Sequence, residues 1–260
     1  MQEAEDLDLL IRAAEAAGDV ALGFFQSRNQ VWDKPDGAGP VSEADLAVDT
    51  LLRETLTTAR PTYGWLSEET ADTPDRLSSE CVFIVDPIDG TRSFVAGDTT
   101  WAHSLAVARQ GKITAAVVFL PARDKIYTAA LGQGAQKNGA GILPSYTQKL
   151  HNSHILAAKP VMNPMNWVNG VPEIHRYHRP SLAYRLCLVA EGRFDAMLTL
   201  RQSWEWDIAA GALILSEAGA KTSNRSGKPL RFNNPHPQTD GVVASGAKLH
   251  PEILEALSRK

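Results

Sequence analysis

Two aspartates follow a buried, strand-like run, and their type and spacing make them the first candidates for chemistry. Asp86 ends the apolar run CVFIVD, and Asp89 stands three positions later in the stretch DPIDGT, residues 86–91. Clustered carboxylates, with the backbone carbonyl of Ile88 between them, supply the hard oxygen ligands that Mg²⁺ prefers. The hydroxyl of Thr91 is placed to orient a water molecule beside them. A plain Asp-rich turn is the alternative, because Asp-Gly is a common turn pair.

The backbone around these aspartates is predicted to end a strand and turn. Pro87 has no N–H group for a sheet ladder, so we expect the strand to stop there. Gly90 can adopt the positive φ angle of a tight turn directly after Asp89. The Ile88 carbonyl would then have no strand partner and would be free to bind a ligand.

The other acidic residues indicate a functional site only when they are considered together. Glu68 and Glu69 follow a short apolar stretch, and a solvated loop explains them equally well. Asp45 stands three residues after a serine, in the pattern of a capping box. Asp207 opens an Ala- and Gly-rich helix, where an N-cap is the simpler interpretation.

The elements that position these residues are read from apolar periodicity. Helical spacing predicts helices near 7–25, from 42 onward, and over 181–191, 207–219 and 251–258. Apolar runs predict strands over 81–86, 104–121 (as a hairpin), 126–131, 154–158, 194–200 and 241–244, and segment 33–40 is turn-rich. Glu205 and Glu217, beside the Asp207 helix, are predicted to face solvent. This order is typical of a layered α/β or α+β protein with two lobes, residues 1–145 and 146–260.

Composition excludes several classes of protein. The 260 residues are 43% hydrophobic and 22% charged, as in ordinary soluble globular proteins, and the net charge of −4 gives no support for a nucleic-acid partner. No apolar run approaches the roughly 20 residues that cross a bilayer, and the acidic N-terminal segment is unlike a signal peptide. Cys81 and Cys187 are predicted to be buried, reduced thiols, so a cytoplasmic location is the default expectation.

The sequence does not support three kinds of hydrolase site. No Cys/His set has zinc spacing, and His103, His175 and His178 are predicted to be structural or surface residues. No G-x-S-x-G motif supports a serine hydrolase. A two-carboxylate glycosidase would not need the additional acids at Asp45 and Asp207.

Taken in order, the segments VSEAD, LSEE, DPIDGT and WDIAAGALILSEAG resemble the inositol monophosphatase superfamily of Mg²⁺-dependent, lithium-sensitive phosphatases. The resemblance runs from about Asp6 to the C-terminus. It implies a five-layer αβαβα sandwich of the sugar-phosphatase type. It also implies a phosphomonoesterase that acts on a small phosphorylated metabolite with two or three Mg²⁺ ions, is inhibited by Li⁺, and can form a homodimer.

The resemblance also implies roles for individual residues. Glu68, Asp86 and the Ile88 carbonyl would hold one Mg²⁺, and Asp86, Asp89 and Asp207 would hold a second, with Asp86 as the bridge.

The catalytic residues implied by the resemblance surround this metal set. Thr91, hydrogen-bonded to Asp45, would orient the attacking water together with the metal ligand Glu68. The backbone N–H groups of Gly90 and Thr91 would bind the phosphate. Glu69 would support the ligands without binding metal itself.

The predicted substrate pocket departs from that of inositol phosphatases. Those proteins carry a carboxylate seven positions before the helix aspartate, where this chain has Leu200, followed by Arg201. A leucine cannot accept hydrogen bonds from a polyol, so we expect inositol 1-phosphate to bind poorly. Ser181 and Arg185 lie one helical turn apart and are predicted to contact a second phosphate, with a solvent-exposed arginine as the alternative.

These pocket residues leave several functions open. The LSEE form and the helix SLAYR resemble the branch that hydrolyses 3′-phosphoadenosine 5′-phosphate, which is the favoured substrate. The segment DGTRSFVAGDTTW resembles histidinol-phosphatase-like members. Inositol 1-phosphate and a sugar bisphosphate are further alternatives. A regulatory binding protein that uses the phosphatase fold is the alternative from another class.

Overall fold

The computed structural model describes residues 1–27, 30–33 and 39–258. Its helices are α1 (Gln2–Phe24), α2 (Glu43–Ala59), α3 (Thr91–Val95), α4 (Leu182–Ala190), α5 (Glu205–Glu217) and α6 (Leu249–Ala256). Its strands are β1 (Val31–Asp33), β2 (Pro40–Ser42), β3 (Gly64–Ser67), β4 (Cys81–Asp89), β5 (Ala102–Arg109), β6 (Lys112–Leu120), β7 (Lys125–Ala130), β8 (Ala135–Lys137), β9 (Ala140–Gly141), β10 (His154–Ala157), β11 (His175–Tyr177), β12 (Ala196–Trp204), β13 (Ala220–Ser223) and β14 (Gln238–Gly246). The predicted helices and strands are present with shifted ends, while most of the turn-rich segment 33–40 lies outside the described residues.

The elements stack in five layers. Helices α1 and α2 pack on one face of a seven-stranded sheet of order β3-β4-β5-β6-β7-β8-β9. Helices α4 and α5 lie between this sheet and a five-stranded sheet of order β11-β10-β12-β14-β13. Helix α6 covers the outer face of the second sheet. The αβαβα sandwich implied by the sequence is therefore confirmed.

Strand alternation sorts the side chains among these layers. In β5, Leu105 and Val107 pack with the apolar residues of α1 and α2, whereas Ala106 and Ala108 pack with those of α4 and α5. This is the period of two expected when both faces of a sheet are covered, and it explains why β4 and β5 read as continuous apolar runs.

The acidic residues at the two ends of α5 are predicted to face solvent, but neither of them is exposed in the structure. Glu205 is fully buried, and its carboxylate accepts hydrogen bonds from the backbone N–H groups of Asn233 (2.6 Å) and Asn234 (3.0 Å). Glu217 is half-buried and accepts two N–H groups of the loop 132–134. The prediction is wrong because α5 lies between two sheets, where loops from both sides reach its ends.

Two broader sequence predictions have structural counterparts. Cys81 and Cys187 are both buried free thiols, as expected. Within the described residues, no helix combines the length and apolar character needed to span a membrane. The division into lobes at residue 145 stays a prediction.

Candidate active site

Strand β4 carries its two aspartates through a β-bulge and does not end at Pro87. Asp86 pairs with Ser104 of β5 and Asp89 pairs with Ala102, so three steps along β4 match two along β5. In a regular strand, side chains three positions apart lie on opposite faces of the sheet. The extra residue of the bulge instead places both carboxylates on the face toward α5. The predicted strand stop is wrong, because a bulge tolerates a proline that donates no ladder hydrogen bond.

The turn after Asp89 has the predicted glycine but a different carbonyl environment. Gly90 has φ 104°, and α3 begins directly after it. Ile88 has no partner in the pairing of β4 with β5, as predicted. The Thr91 hydroxyl, which the prediction did not include, lies 3.2 Å from the Ile88 carbonyl oxygen and 3.0 Å from Asp45 Oδ1. A hydroxyl has one hydrogen, so when Thr91 donates to Asp45 the carbonyl is left for a metal ion.

Asp45, in the first turn of α2, serves both the cap and the site. Its Oδ2 accepts from the backbone N–H (2.9 Å) and hydroxyl (2.5 Å) of Ser42, which completes the predicted capping box. Its Oδ1 accepts from Thr91. Burial raises the pKa of Asp45, and the hydrogen bonds from Ser42 and Thr91 oppose that rise.

Three carboxylates from distant parts of the chain converge beside the bulge. Strand β3 runs parallel to β4, so Glu68, directly after β3, comes to the same sheet edge as Asp86. Helix α5 brings Asp207 in its first turn, and the hydroxyl of Ser104 holds that turn by donating to the Trp206 carbonyl at 2.9 Å. One oxygen from each of the three carboxylates lies within 4.8 Å of the other two.

The electrostatics of this cluster favour a cation. Asp86 is buried, and its Oδ1 has no hydrogen-bond partner among the described residues. Burial, reinforced by the charges of Glu68, Asp89 and Asp207, holds the pKa of Asp86 well above its usual range, and burial with Asp89 and Glu68 does the same to the pKa of Asp207. A divalent ion would satisfy the orphaned oxygen and cancel the repulsion, so these residues fit the metal implied by the sequence.

Asp89 joins the cluster electrostatically but is also tied to α4. Its Oδ2 accepts from the Ser181 hydroxyl (2.8 Å) and the Ala183 backbone N–H (2.6 Å). Any metal contact of Asp89 would therefore use Oδ1. The Ser181 hydroxyl, in turn, donates to Asp89 and accepts from the backbone N–H of Tyr184 at 3.1 Å. Ser181 thus positions Asp89, and its direct contact with substrate stays a prediction.

Two arginines lie near these carboxylates. Arg185 on α4 is half-buried, and its Nη2 lies 3.0 Å from His178 Nε2. Burial and the charge of Arg201 lower the pKa of Arg185, while the charges of Asp89 and Asp207 oppose this shift. Arg201 also lowers the pKa of Asp207 against the larger effect of burial.

Arg201 reaches this region through a second bulge, which the sequence reasoning missed. Thr199 of β12 pairs with Val242 of β14 and Gln202 pairs with Asp240, so one extra residue again lies between the paired positions. Leu200 packs against the outer core beneath α6. Arg201, rather than Leu200, is therefore the residue of this pair that interacts with the carboxylates.

Comparisons with known proteins decide the family. A family model described as the inositol monophosphatase family matches residues 2–260. This chain belongs to that family. It is 34% identical to an inositol-1-monophosphatase of Rhizobium meliloti, with 97% of this chain and 96% of the relative covered. It is 30% identical to a histidinol-phosphatase of Mycobacterium tuberculosis, with 98% of each chain covered.

Solved structures agree with this assignment. The inositol monophosphatase of Thermotoga maritima superposes with a TM-score of 0.83 at 25% identity, covering 96% of each chain. The extragenic suppressor protein suhB of Bartonella henselae gives a TM-score of 0.79 at 30% identity, covering 96% of this chain and 97% of that one. The protein is thus a phosphoric monoester hydrolase of the metal-dependent inositol monophosphatase family.

One residue that anchors the site of this family phosphatase was not predicted. Asp49, one helical turn after Asp45, accepts from the hydroxyls of Ser67 (2.5 Å) and Thr70 (2.6 Å). Ser67 Oγ in turn accepts from the backbone N–H of Glu69 at 3.3 Å. The loop that carries Glu68 is therefore fastened to α2. The i, i+4 spacing of two aspartates on α2 was the available signal, while the supporting role of Glu69 stays a prediction.

The histidines of this phosphatase take no part in the carboxylate cluster. Among the described residues, the group of potential metal ligands that comes together consists of acids alone. His103 is buried in the first sheet, and His175 and His178 are exposed, in agreement with the sequence analysis.

Proposed function

We propose that this phosphatase is Mg²⁺-dependent and hydrolyses a small phosphate ester by attack of an activated water. The observation that carries the proposal is the convergence of Glu68, Asp86 and Asp207 around the orphaned Asp86 oxygen. The Ile88 carbonyl and Asp89 Oδ1 complete an all-oxygen ligand set of the kind that Mg²⁺ prefers. Bound Mg²⁺ would neutralise the phosphate dianion, lower the pKa of a water and stabilise the leaving oxygen.

The chain itself orients the reactants. Thr91, which donates its hydrogen to Asp45, keeps its lone pairs for a water hydrogen and so aims the water oxygen at phosphorus. The N–H groups of Gly90 and Thr91 stand at the start of α3, where the first N–H groups of a helix have no partner within the helix. In this proposal they bind phosphate oxygens, and such positioning supplies most of the catalysis of phosphoryl transfer.

A phosphate-release assay tests this proposal. The panel contains 3′-phosphoadenosine 5′-phosphate, inositol 1-phosphate, histidinol phosphate and fructose 1,6-bisphosphate, each with EDTA, with Mg²⁺, and with Mg²⁺ plus Li⁺. We expect release that requires Mg²⁺ and is inhibited by Li⁺. Release that persists in EDTA, or no release from any ester, would contradict the proposal.

We infer further that the substrate carries a second anionic group, and 3′-phosphoadenosine 5′-phosphate is the first candidate. Arg185 and Arg201 lie near each other, and neither forms an ion pair within 4.0 Å with a described carboxylate. Guanidinium groups without a carboxylate partner suit a second phosphate, and Arg201 could bind it through two hydrogen bonds. Arg185 could offer its Nη1, since its Nε donates to the Arg179 carbonyl and its Nη2 lies 3.0 Å from His178 Nε2. The same cations would repel the ammonium group of histidinol phosphate and offer no acceptor to inositol hydroxyls.

A charge-removing variant tests the second anion. In Arg201→Gln, we expect kcat/KM for 3′-phosphoadenosine 5′-phosphate to fall by about 10- to 100-fold, through loss of one charge-assisted contact. The value for adenosine 3′-monophosphate should change by less than about threefold, because that ester lacks the second phosphate. Arg193→Gln, at an exposed arginine away from α5, is the matched control. Equal losses for both esters would contradict the inference.

A regulatory role is the second candidate, favoured by the 27% identity to the Nus factor SuhB of Escherichia coli. Asp207→Asn separates the two roles better than a change at Asp89, which also holds the start of α4. We expect this variant to lose phosphatase activity. A cellular phenotype that the inactive variant fully restores would favour the regulatory role. The homodimer and the cytoplasmic location stay predictions.

A further inference from the structure

A buried histidine lies opposite the β4 bulge, on the sheet face that packs against α1 and α2. Because Asp86 and Asp89 pair with Ser104 and Ala102, His103 faces the two unpaired bulge residues. It is 0% exposed, and its neighbours on the same face of β5 are apolar side chains of the core against α1 and α2. Burying an imidazole costs free energy unless it is hydrogen-bonded, so an aliphatic residue would suit this face better if packing were its role.

The histidine uses one ring nitrogen for the bulge. His103 Nδ1 donates to the carbonyl oxygen of Pro87. A carbonyl can only accept, so Nδ1 carries the hydrogen and Nε2 is the acceptor. Burial lowers the pKa of His103 to about 4, which keeps the ring neutral near pH 7. Nε2 has no hydrogen-bond partner among the described residues, so the polar contact of the ring is made through Nδ1.

This contact stands where the bulge interrupts the ladder. The Pro87 carbonyl belongs to the peptide group that joins Pro87 to Ile88, and neither residue is paired with β5. The orientation of that peptide decides where the next carbonyl, that of Ile88, points. Thr91 contacts the Ile88 carbonyl from one side. His103 binds the Pro87 carbonyl from the other side.

We propose that His103 is a positioning residue for the metal site: it replaces the strand partner that the bulge removes and so fixes the direction of the Ile88 carbonyl between Asp86 and Asp89. The side chain packs on the opposite face of the sheet from α5, so it acts through the backbone of β4 and not on the substrate. The proposal rests on the proposed function, because it assumes that Mg²⁺ binds at this bulge.

Three variants separate positioning from packing. His103→Asn places an amide N–H near the position of Nδ1, His103→Gln places its amide near Nε2, and His103→Leu fills the volume without a hydrogen bond. Mg²⁺ affinity is measured by calorimetry, and the melting temperature is measured in EDTA. Neither measurement depends on turnover.

We expect His103→Asn to keep Mg²⁺ affinity within about threefold of the wild type. The Gln and Leu variants should lose about tenfold or more, as is typical when a group that orients a metal ligand is removed. The melting temperature in EDTA should separate the Leu and Asn variants less than Mg²⁺ affinity does, because the apolar burial of Leu offsets part of the cost of leaving the Pro87 carbonyl without a donor.

The outcomes separate this proposal from the function on which it rests. Equal Mg²⁺ affinity in all three variants, or an Asn variant as weak as the Leu variant, overturns the role of His103 and leaves the metal site standing. Affinities that simply follow the melting temperatures overturn it as well. A wild-type protein that does not bind Mg²⁺ overturns both.

Discussion

Each of the two sheets carries a one-residue bulge near the site, and the two bulges differ in the residue opposite them, which is His103 for the first and Gly241 for the second. In β4 the unpaired residues are Pro87 and Ile88, and a side chain lies within hydrogen-bond distance of each of their carbonyl oxygens. Those side chains are His103 from the neighbouring strand and Thr91 from the following turn. The hydrogen bond from His103 holds this bulge, while Thr91 leaves the Ile88 carbonyl to the proposed metal ion when it donates to Asp45.

In β12 the unpaired residues are Leu200 and Arg201, and the strand opposite offers a glycine. Gly241 has φ +68°, and a Cβ atom there would lie 2.6 Å from the carbonyl oxygen of Thr199. The two backbones approach so closely that no side chain fits between them. This bulge combines close packing of backbone against backbone with two side-chain hydrogen bonds. Arg225 donates to the Leu200 carbonyl at 3.1 Å, and the Ser203 hydroxyl donates to the Arg201 carbonyl at 3.3 Å.

The difference follows from what each bulge presents. The β4 bulge presents backbone and carboxylate oxygens to the proposed metal site, so its peptide groups need a defined direction. The β12 bulge separates two neighbouring side chains, with Leu200 in the outer core and Arg201 near the carboxylates. For that purpose it is enough that the bulge changes which side chains of β12 lie on each face of the sheet.

The largest effect is expected from removing the charge of Asp86, the paired residue just before the β4 bulge. Asp86→Asn should lower kcat with Mg²⁺ by about 10³-fold or more, because transition-state charge stabilisation depends on the metal ligands. In EDTA the same change should raise the melting temperature, because it removes a buried repelling charge. Asp240→Asn, at an exposed aspartate beside the β12 bulge, is the control. An active Asp86→Asn enzyme would show that the β4 bulge is not the catalytic one.

Gly241→Ala should break the β12 bulge and destabilise the fold. We expect a loss of about 3 kcal/mol in the free energy of unfolding, from left-handed backbone strain plus the clash with Thr199. Gly132→Ala is the matched control, with φ +78° and nothing within 4 Å of the added Cβ, so it should lose only about 1 kcal/mol. Chemical denaturation measures both. Equal losses would mean that close approach does not hold this bulge.

A carboxylate at Leu200 tests where that side chain points. Leu200→Glu should lose about 1–3 kcal/mol of stability, because the new charge enters the outer apolar core. It should not increase turnover of inositol 1-phosphate. Leu200→Met keeps the volume and serves as the control. A gain of inositol 1-phosphate activity in the Glu variant would place Leu200 in the substrate pocket after all.

The smallest effect concerns pH and metal removal. The pKa values of Asp86 and Asp207 are raised in the folded protein, so their contribution to stability is present below the unfolded pKa of about 4 and is lost as pH rises through the folded values. In EDTA the melting temperature should therefore fall between pH 5 and 7.5 more steeply than in Asp86→Asn. Saturating Mg²⁺ should stabilise the protein more at pH 7.5 than at pH 5. Parallel pH profiles of wild type and variant would contradict this.

Much of the site could be predicted because its signals are local. The capping box of Asp45 and the turn at Gly90 follow from residues a few positions apart, and the structure contains both. Asp49 was missed because its partners, Ser67 and Thr70, come from another element. Glu205 was misjudged because exposure of a helix end depends on which loops cover it.

The sequence by itself determined which segments form the main helices and strands, because periodicity and turn chemistry depend on neighbouring residues. Through its family resemblance it also singled out Glu68, Asp86 and Asp207, the acids that come together in the structure. Only the tertiary structure decided which face those side chains occupy. One extra residue in a strand reverses every later side chain, and the local signs of the two bulges, Pro87 and Gly241, are equally typical of a strand end or a turn. The two bulges therefore decided that Asp86 and Asp89 share a face, and that Arg201 rather than Leu200 interacts with the carboxylates.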